Sequence, residues 1–186
     1  MDLKQFQIEN DEIILSILQE SDAQDLYEAV KNTLVDLRKF PASLPWAIEE
    51  PELESSKTFC RSRLQALLNK ENFVFTIRLK ENNALLGIMD IHKIDWQNNC
   101  AEIGFWGNSR YKKQGYMTHA LNIFVNTLLS RWSFKTLKAY TDVENISAKK
   151  LCERAYFVLQ NIEYGALKNP IDGSLRDHCI YQIENK

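Results

Sequence analysis

The 186-residue chain has no apolar run approaching the roughly 18 residues that a membrane-crossing helix requires. Its opening stretch, MDLKQFQIENDEIILSILQESD, mixes acids into the apolar residues and lacks the charge pattern of a secretory leader. A large charge of either sign is also missing. The formal net charge of −2 gives the surface as a whole no attraction for nucleic acid or an anionic membrane, so any anion site must be local. Cys60, Cys100, Cys152 and Cys179 are scattered without a C-x-x-C, and His92, His119 and His178 stand alone, so no metal-ligand spacing is present. The cysteines are expected as buried or half-buried thiols in a reducing, cytoplasmic setting. Neither G-x-x-x-x-G-K-S/T nor G-x-G-x-x-G occurs, which argues against nucleotide hydrolysis and dinucleotide binding. No linker, internal repeat or low-complexity segment divides the chain, and a single domain over residues 1–186 is expected.

What is present alternates between two periodicities. The chain is 45% hydrophobic and 26% charged, an ordinary balance for a globular fold with a full core. Glu12–Gln19 reads as a strand, followed by a helix capped at Ser21 with Gln24 three residues on and Leu26, Val30 and Leu34 on one face. A loop with Pro41, Pro45 and Pro51 leads to a second helix over Glu52–Asn69, with Phe59, Cys60, Leu64, Leu67 and Leu68 near helical spacing. Phe73, Phe75, Ile77 and Leu79 alternate in a strand that turns at Asn82–Asn83 into ALLGIMDIHKI. DWQNN turns again into the strand CAEIGFWG. Met117, Ala120, Leu121, Phe124, Val125 and Leu128 then form a helical stripe. TLKAYTD reads as a strand, NISAKKLCERAYF as a short helix capped by Asn145, and VLQNIEYGAL and RDHCIYQI as closing strands around an NPIDG turn. The pattern predicts an α/β fold with a mixed, mostly antiparallel sheet.

One junction breaks the usual chemistry of helix starts. Arg110-Tyr-Lys-Lys-Gln-Gly-Tyr116 places cations where the helix dipole is already positive, an arrangement an anion would offset. A strand, a short loop and a glycine at a helix start present free backbone N–H groups to such an anion. The alternative is that Gly115 serves only the turn and the lysines are solvated.

AEIGFWGNSRYKKQGYMTHAL, followed by NISAKKLCERAYF, resembles the GNAT acyltransferase superfamily, and within it the RimJ/RimL-type protein N-terminal acetyltransferases. The resemblance runs from the first strand to Tyr181 and is most specific over Glu102–Leu121. It takes in an approximate N-x-x-S-x-x-x-L-x-x-x-G-F segment at Asn145, Ser147 or Ala148, Leu151 and Phe157, and the closing R-D-x-x-x-Y at Arg176, Asp177 and Tyr181.

The resemblance implies the GNAT acyl-CoA N-acyltransferase fold and acetyl-CoA as co-substrate, with no metal. It implies that Lys112, Lys113, Gln114, Gly115, Tyr116 and Met117 grip the pyrophosphate. Phe105, Trp106 and Gly107 would offer backbone contacts to the pantetheine, with Asn145 bonding its amide. Glu102, on the strand face it shares with Gly104 and Trp106, is the first candidate for a general base. Glu163 and Asp142 stand behind it, and capping the edge of the sheet or pairing with a lysine are the competing roles for Glu102. Ser147 is the candidate donor to the leaving thiolate, with helix capping as its alternative. The acceptor is expected to be a protein N-terminal amine. A small-amine acetyltransferase and a catalytically silent acyl-CoA sensor stay open, as does a homodimer.

Three residues depart from the family pattern. Lys112 stands where Gln or Arg is usual, Met117 replaces a small residue, and Tyr156 replaces a helix-ending glycine. Met117 is expected to tighten the pyrophosphate pocket or displace its backbone. His92 and His119 are read as solvated or capping, and His178 as a packed sheet residue or part of the acceptor site. Trp46 is placed either in the core or as a wall of the acceptor site, and Trp96 and Trp132 in packing.

Overall fold

Residues 2–185 are described by a computed structural model. A single-turn 3-10 segment (Leu3–Phe6) and a two-residue strand β1 (Ile8–Glu9) open the chain, neither of them foreseen. Then come β2 (Ile13–Ile17), α1 (Ala23–Leu37), α2 (Leu53–Leu68), β3 (Phe73–Leu79), β4 (Leu85–Asp95) and β5 (Cys100–Gly107). They are followed by α3 (Tyr116–Ser130), β6 (Thr136–Asp142), α4 (Ile146–Arg154), β7 (Val158–Lys168) and β8 (Leu175–Glu184). All strands join one sheet in the order β1-β2-β3-β4-β5-β6-β8-β7, antiparallel except where β6 runs parallel to β5.

Helices cover both faces, so the central strands are apolar on both sides. All seven residues of β3 are buried. Phe75, Ile77, Met89, Ile91, Ile103 and Leu137 pack with the α3 stripe Ala120, Leu121, Phe124, Val125 and Leu128. On the opposite face Val74 and Ile88 pack with Leu26 and Ala29 of α1 and Cys60 of α2. Burying one such side chain contributes about 1.5–3 kcal/mol, so two covered faces supply the driving force for the fold.

Some sequence expectations shift. Asp22, not Ser21, organises the start of α1: its carboxylate accepts the Gln19 backbone N–H at 2.8 Å, and a 3-10 turn over Glu20–Asp22 precedes the helix. The buried stripe of α1 is Ala23, Leu26, Ala29, Thr33 and Leu37, which leaves Val30 and Leu34 on its flank. In α2, Cys60 and Leu67 face inward while Phe59 and Leu68 are exposed, because the covered face is narrower than the apolar spacing suggests.

Cys60, Cys152 and Cys179 are buried and Cys100 is half-buried, all as free thiols. Burial pushes the Cys60 thiol up to about 11 and Cys152 up to about 12, which keeps both protonated and unreactive. Among the described residues no helix is long and apolar enough to cross a membrane.

Tyr156 solves the end of α4 without glycine. Phe157 N–H bonds the Cys152 carbonyl and Tyr156 N–H bonds the Glu153 carbonyl, both at about 3 Å, which is the Schellman pattern. That pattern forces Tyr156 to φ +65°, and its ring is 79% exposed. The left-handed conformation costs a non-glycine residue about 1–2 kcal/mol, partly offset by the greater unfolded-state freedom of glycine, about 0.5–1 kcal/mol. Tyr156→Gly is therefore expected to stabilise the protein, raising Tm by about 2–4 °C in a calorimetric scan. A lowered Tm would show that the exposed ring carries packing of its own.

Candidate active site

β5 and β6 pair only from Cys100↔Thr136 to Ile103↔Ala139. Beyond that point each strand keeps its outer partner: β5 continues on β4 to Gly87↔Gly107, and β6 on β8 to Asp142↔His178. The facing edges of Gly104–Gly107 and Tyr140–Asp142 thus carry no ladder bonds to each other. Unpaired backbone edges are open to a partner from outside the sheet.

The loop after β5 completes this cleft. Asn108 is buried and turns the chain, donating from its backbone to Leu86 O at 2.8 Å and from its side chain to Leu85 O at 2.9 Å. Thr33 of α1 accepts the Ser109 N–H at 3.0 Å, and Asp36 accepts the Ser109 hydroxyl at 2.7 Å. Gly115 adopts φ +86°, a conformation costly for a side-chain-bearing residue, and starts α3. Lys113 is also left-handed at φ 63°. Among the described residues, the backbone N–H groups of Lys113, Gln114, Gly115, Tyr116 and Met117 have no acceptor. Five free donors at the positive end of a fifteen-residue helix are suited to an anion.

The side chains divide differently from the sequence reading. The Lys112 ammonium is bound to Asp36, which also takes Lys39, so its charge is committed to α1. Hydrogen bonds from Lys112, Lys39 and Ser109 hold the Asp36 carboxyl well below the usual carboxylate range. Lys113 and Gln114 are exposed. Met117 lies over the cross-strand pair Gly87 and Gly107: a Cβ on Gly107 would meet Met117 Cγ at 2.9 Å. The bulk of Met117 is thus absorbed by two glycines in the sheet and not by the cleft.

Behind the strand divergence, on the α1/α2 face, polar groups converge. Glu102 Oε2 is 3.0 Å from Lys93 Nζ and 3.5 Å from His92 Nε2. His92 Nδ1 is 2.8 Å from Asp90 Oδ2, which also accepts from Asn72 at 3.0 Å. Gly104 makes room for Asp90, since a Cβ there would stand 2.3 Å from its Oδ1. Burial alone would lower the pKa of His92, but the hydrogen bond to Asp90 and the charges of Asp90 and Glu102 outweigh it and raise it. This contribution to stability is present below the ordinary histidine range and fades as pH rises through the raised value.

His92 is therefore not solvated but joined to Asp90 and facing Glu102. The signal in the sequence was the alternation of Ile88, Asp90 and His92, which puts both polar side chains on one strand face. His119 is exposed and pairs with Glu12 at 2.9 Å.

Asp142 is 1% exposed and held in the Arg176 fork at 2.8 and 3.0 Å, which ties β8 to β6 and removes that carboxylate as a free base. Asp177 accepts the Gly165 N–H and Tyr181 donates to Glu153, so the closing R-D-x-x-x-Y residues anchor structure. Glu163 is exposed on β7 opposite His178. Asn145 caps α4 through Ala148 N–H at 3.1 Å, while the exposed Ser147 hydroxyl has no partner among the described residues. Burial lowers the pKa of His178, against the charges of Asp142 and Glu163, and its Nε2 is 2.9 Å from Ser43 Oγ in the loop after α1. Trp46, from the same loop, stacks obliquely on Trp106 at 6.1 Å between ring centres. Trp96 and Trp132 pack with Phe73. One surface depression lies beside β1 and α3, and another between α1, Asn82–Leu85 and the start of the loop after β5 at Asn108, Arg110 and Tyr111; neither includes Glu102. Among the described residues no cluster of His, Cys, Asp and Glu is arranged to hold a metal ion.

Comparison with known proteins identifies the family. A ribosomal-protein-serine acetyltransferase of Escherichia coli (strain K12) is 21% identical over 148 residues, covering 78% of this chain and 79% of that protein. The structure of RimL, a ribosomal L7/L12 α-N-protein acetyltransferase in complex with coenzyme A, superposes with a TM-score of 0.84 at 19% identity, covering 96% and 97% of the two chains. The microcin C7 self-immunity acetyltransferase MccE, in complex with acetyl-CoA and AMP, gives 0.83 at 22% identity, covering 94% and 93%. Residues 12–158, which contain both the parted strands and the donor loop, match the acetyltransferase (GNAT) domain, and the chain belongs to that family.

Proposed function

We propose that this chain, acting as one domain, transfers an acetyl group from acetyl-CoA to a primary amine, most readily the α-amine of a protein N-terminus. The observation that carries the reading is the row of five unpartnered N–H groups beside the opening between β5 and β6. Those residues fit the donor molecule. The N–H row suits the pyrophosphate, and the bare edges of Phe105–Gly107 suit the amides of the pantetheine. Bound there, acetyl-CoA supplies an activated thioester. Backbone N–H groups of β5 orient and polarise its carbonyl. Glu102 takes a proton from the amine, and Ser147, in the first turn of α4, returns one to sulfur.

The acceptor follows from proton affinity and from the relatives. An α-amine, with a reference pKa of about 8, gives up its proton more easily than a lysine near 10.4, so a carboxylate suffices as base. RimL and the E. coli relative are named for ribosomal-protein N-terminal and serine acetylation, which supports a protein terminus of the Ser type here. The net charge of −2 adds a weak pull on a basic partner, screened by salt.

Peptides with a free N-terminal Ser, Ala or Thr are expected to release CoA thiol faster than N-blocked peptides carrying an internal lysine. Spermidine and an aminoglycoside serve as small-amine controls at equal acetyl-CoA. Preference for the lysine or for a control would refute the N-terminal assignment. Binding without thiol release from any amine would point to an acyl-CoA sensor.

A further inference from the structure

We propose that Asp90, His92 and Glu102 form a proton relay in which the proton taken from the amine by Glu102 comes to rest on His92. This inference rests on the acetyl-transfer reading and assigns roles within its site.

The geometry sets the direction. A carboxylate only accepts, so the 2.8 Å contact with Asp90 Oδ2 requires the hydrogen of neutral His92 to sit on Nδ1. Nε2 then presents its lone pair to Glu102 Oε2 at 3.5 Å, next to Lys93 Nζ at 3.0 Å. Two lone pairs facing each other repel, and a proton between them converts the contact to attraction. Oε1 of Glu102 has no hydrogen bond among the described residues. Its carboxylate therefore has one oxygen without a protein partner and the other toward the imidazole.

The surroundings favour one added proton. Asp90 and Glu102 are negative and Lys93 positive, so the cluster is singly negative while His92 is neutral and uncharged overall once it is protonated. From the other packed elements, Asn72 backs Asp90 and is itself contacted by Arg63 of α2. On β6, Lys138 stands opposite Glu102, and Tyr140 lies 5.8 Å from Lys93 Nζ. The side chains of Asp90, His92 and Glu102 are 24%, 35% and 17% exposed, so their mutual fields are only partly screened. The raised pKa of His92 agrees with this placement.

The protons balance. The ammonium gives one to Glu102 and thence to His92 Nε2, which frees the nitrogen lone pair. That pair forms the C–N bond to the acetyl carbon as the C–S bond breaks. The nitrogen's surplus proton goes to the departing sulfur, and His92 later returns its own to water. His92 and Asp90 act through Glu102 and are positioning residues.

His92→Gln is expected to lower kcat by roughly tenfold to a hundredfold while KM for acetyl-CoA stays within about twofold. In the wild type kcat should fall in acid as His92 fills, with the midpoint above the ordinary histidine value of about 6.5. In the variant that limb should move to lower pH. Asp90→Asn carries the same expectation and replaces His92→Gln if the latter misfolds by circular dichroism. Observing the His92 ring by NMR should give its titration midpoint directly, and that midpoint should fall in Asp90→Asn. A kcat reduced by less than about fivefold, or an unmoved acid limb, would overturn the relay while wild-type thiol release keeps the acetyltransferase reading. A wild type that acetylates no amine would overturn both.

Discussion

Replacing Glu102 with glutamine is expected to reduce turnover by roughly 10²–10⁴-fold while leaving acetyl-CoA affinity almost unchanged. The substitution keeps the size of the side chain and a hydrogen-bonding partner for Lys93 and His92, which lie 3.0 and 3.5 Å from Oε2. What disappears is the capacity of the side chain to accept a proton. Affinity should survive because the donor row over Lys113–Met117 belongs to a different element. Raising the pH should recover part of the rate, since more of the amine is then already neutral. Steady-state thiol release across neutral and alkaline pH, with acetyl-CoA and amine varied separately, resolves these effects. An unaltered rate would hand the proton to solvent or to the exposed Glu163, because Asp142 is already held by Arg176.

Gly115→Val should abolish stabilisation by acetyl-CoA. A ligand at about a hundred times its Kd stabilises by about 2.7 kcal/mol, which for a domain of this size raises Tm by about 5–10 °C. The N-cap of α3 sits at φ +86°, a region that a β-branched residue adopts only with strain. Around Gly115 a Cβ would find nothing nearer than the His119 ring at 3.9 Å, so the free protein has room for it. The obstruction arises only when an anion approaches the five N–H groups, and the backbone strain adds to it. Gly115→Asn, whose side chain tolerates the left-handed region, should recover the Tm of the free protein yet still blunt the shift. Acetyl phosphate should stabilise none of the three proteins. Equal shifts for wild type and Gly115→Val would remove the pyrophosphate from this loop.

The two predictions differ in how far the sequence alone supports them. Gly115 was marked by a local contradiction, cations and a glycine at a helix start, and local contradictions are visible in one dimension. Glu102 was marked by alternation with Gly104 and Trp106 on a strand, and its face is as expected. That Asp90 and His92 are its neighbours is not legible in the same way. Counting back from the turn would set Lys93 opposite Glu102, because Asp95 pairs with Cys100. A one-residue irregularity between His92 and Asp95, with Lys93 at φ 46°, moves His92 into that place. The same bulge leaves Lys93 able to reach the carboxylate too.

The sequence by itself determined β5 over Cys100–Gly107, β6 over Thr136–Asp142, the buried stripe of α3 and the capping of α4 by Asn145. Each rests on periodicity or on contacts within a few residues, which are properties of the local chain. Only the tertiary structure decided that Lys112 binds Asp36, 76 residues away, and that Met117 is accommodated by Gly87 and Gly107. It also decided that β5 and β6 part after Ile103 and Ala139, and that His92 stands with Lys93 beside Glu102. These depend on sheet register and on the packing of helix against sheet, where one residue of slip or one side chain of bulk changes the partner without changing the local pattern.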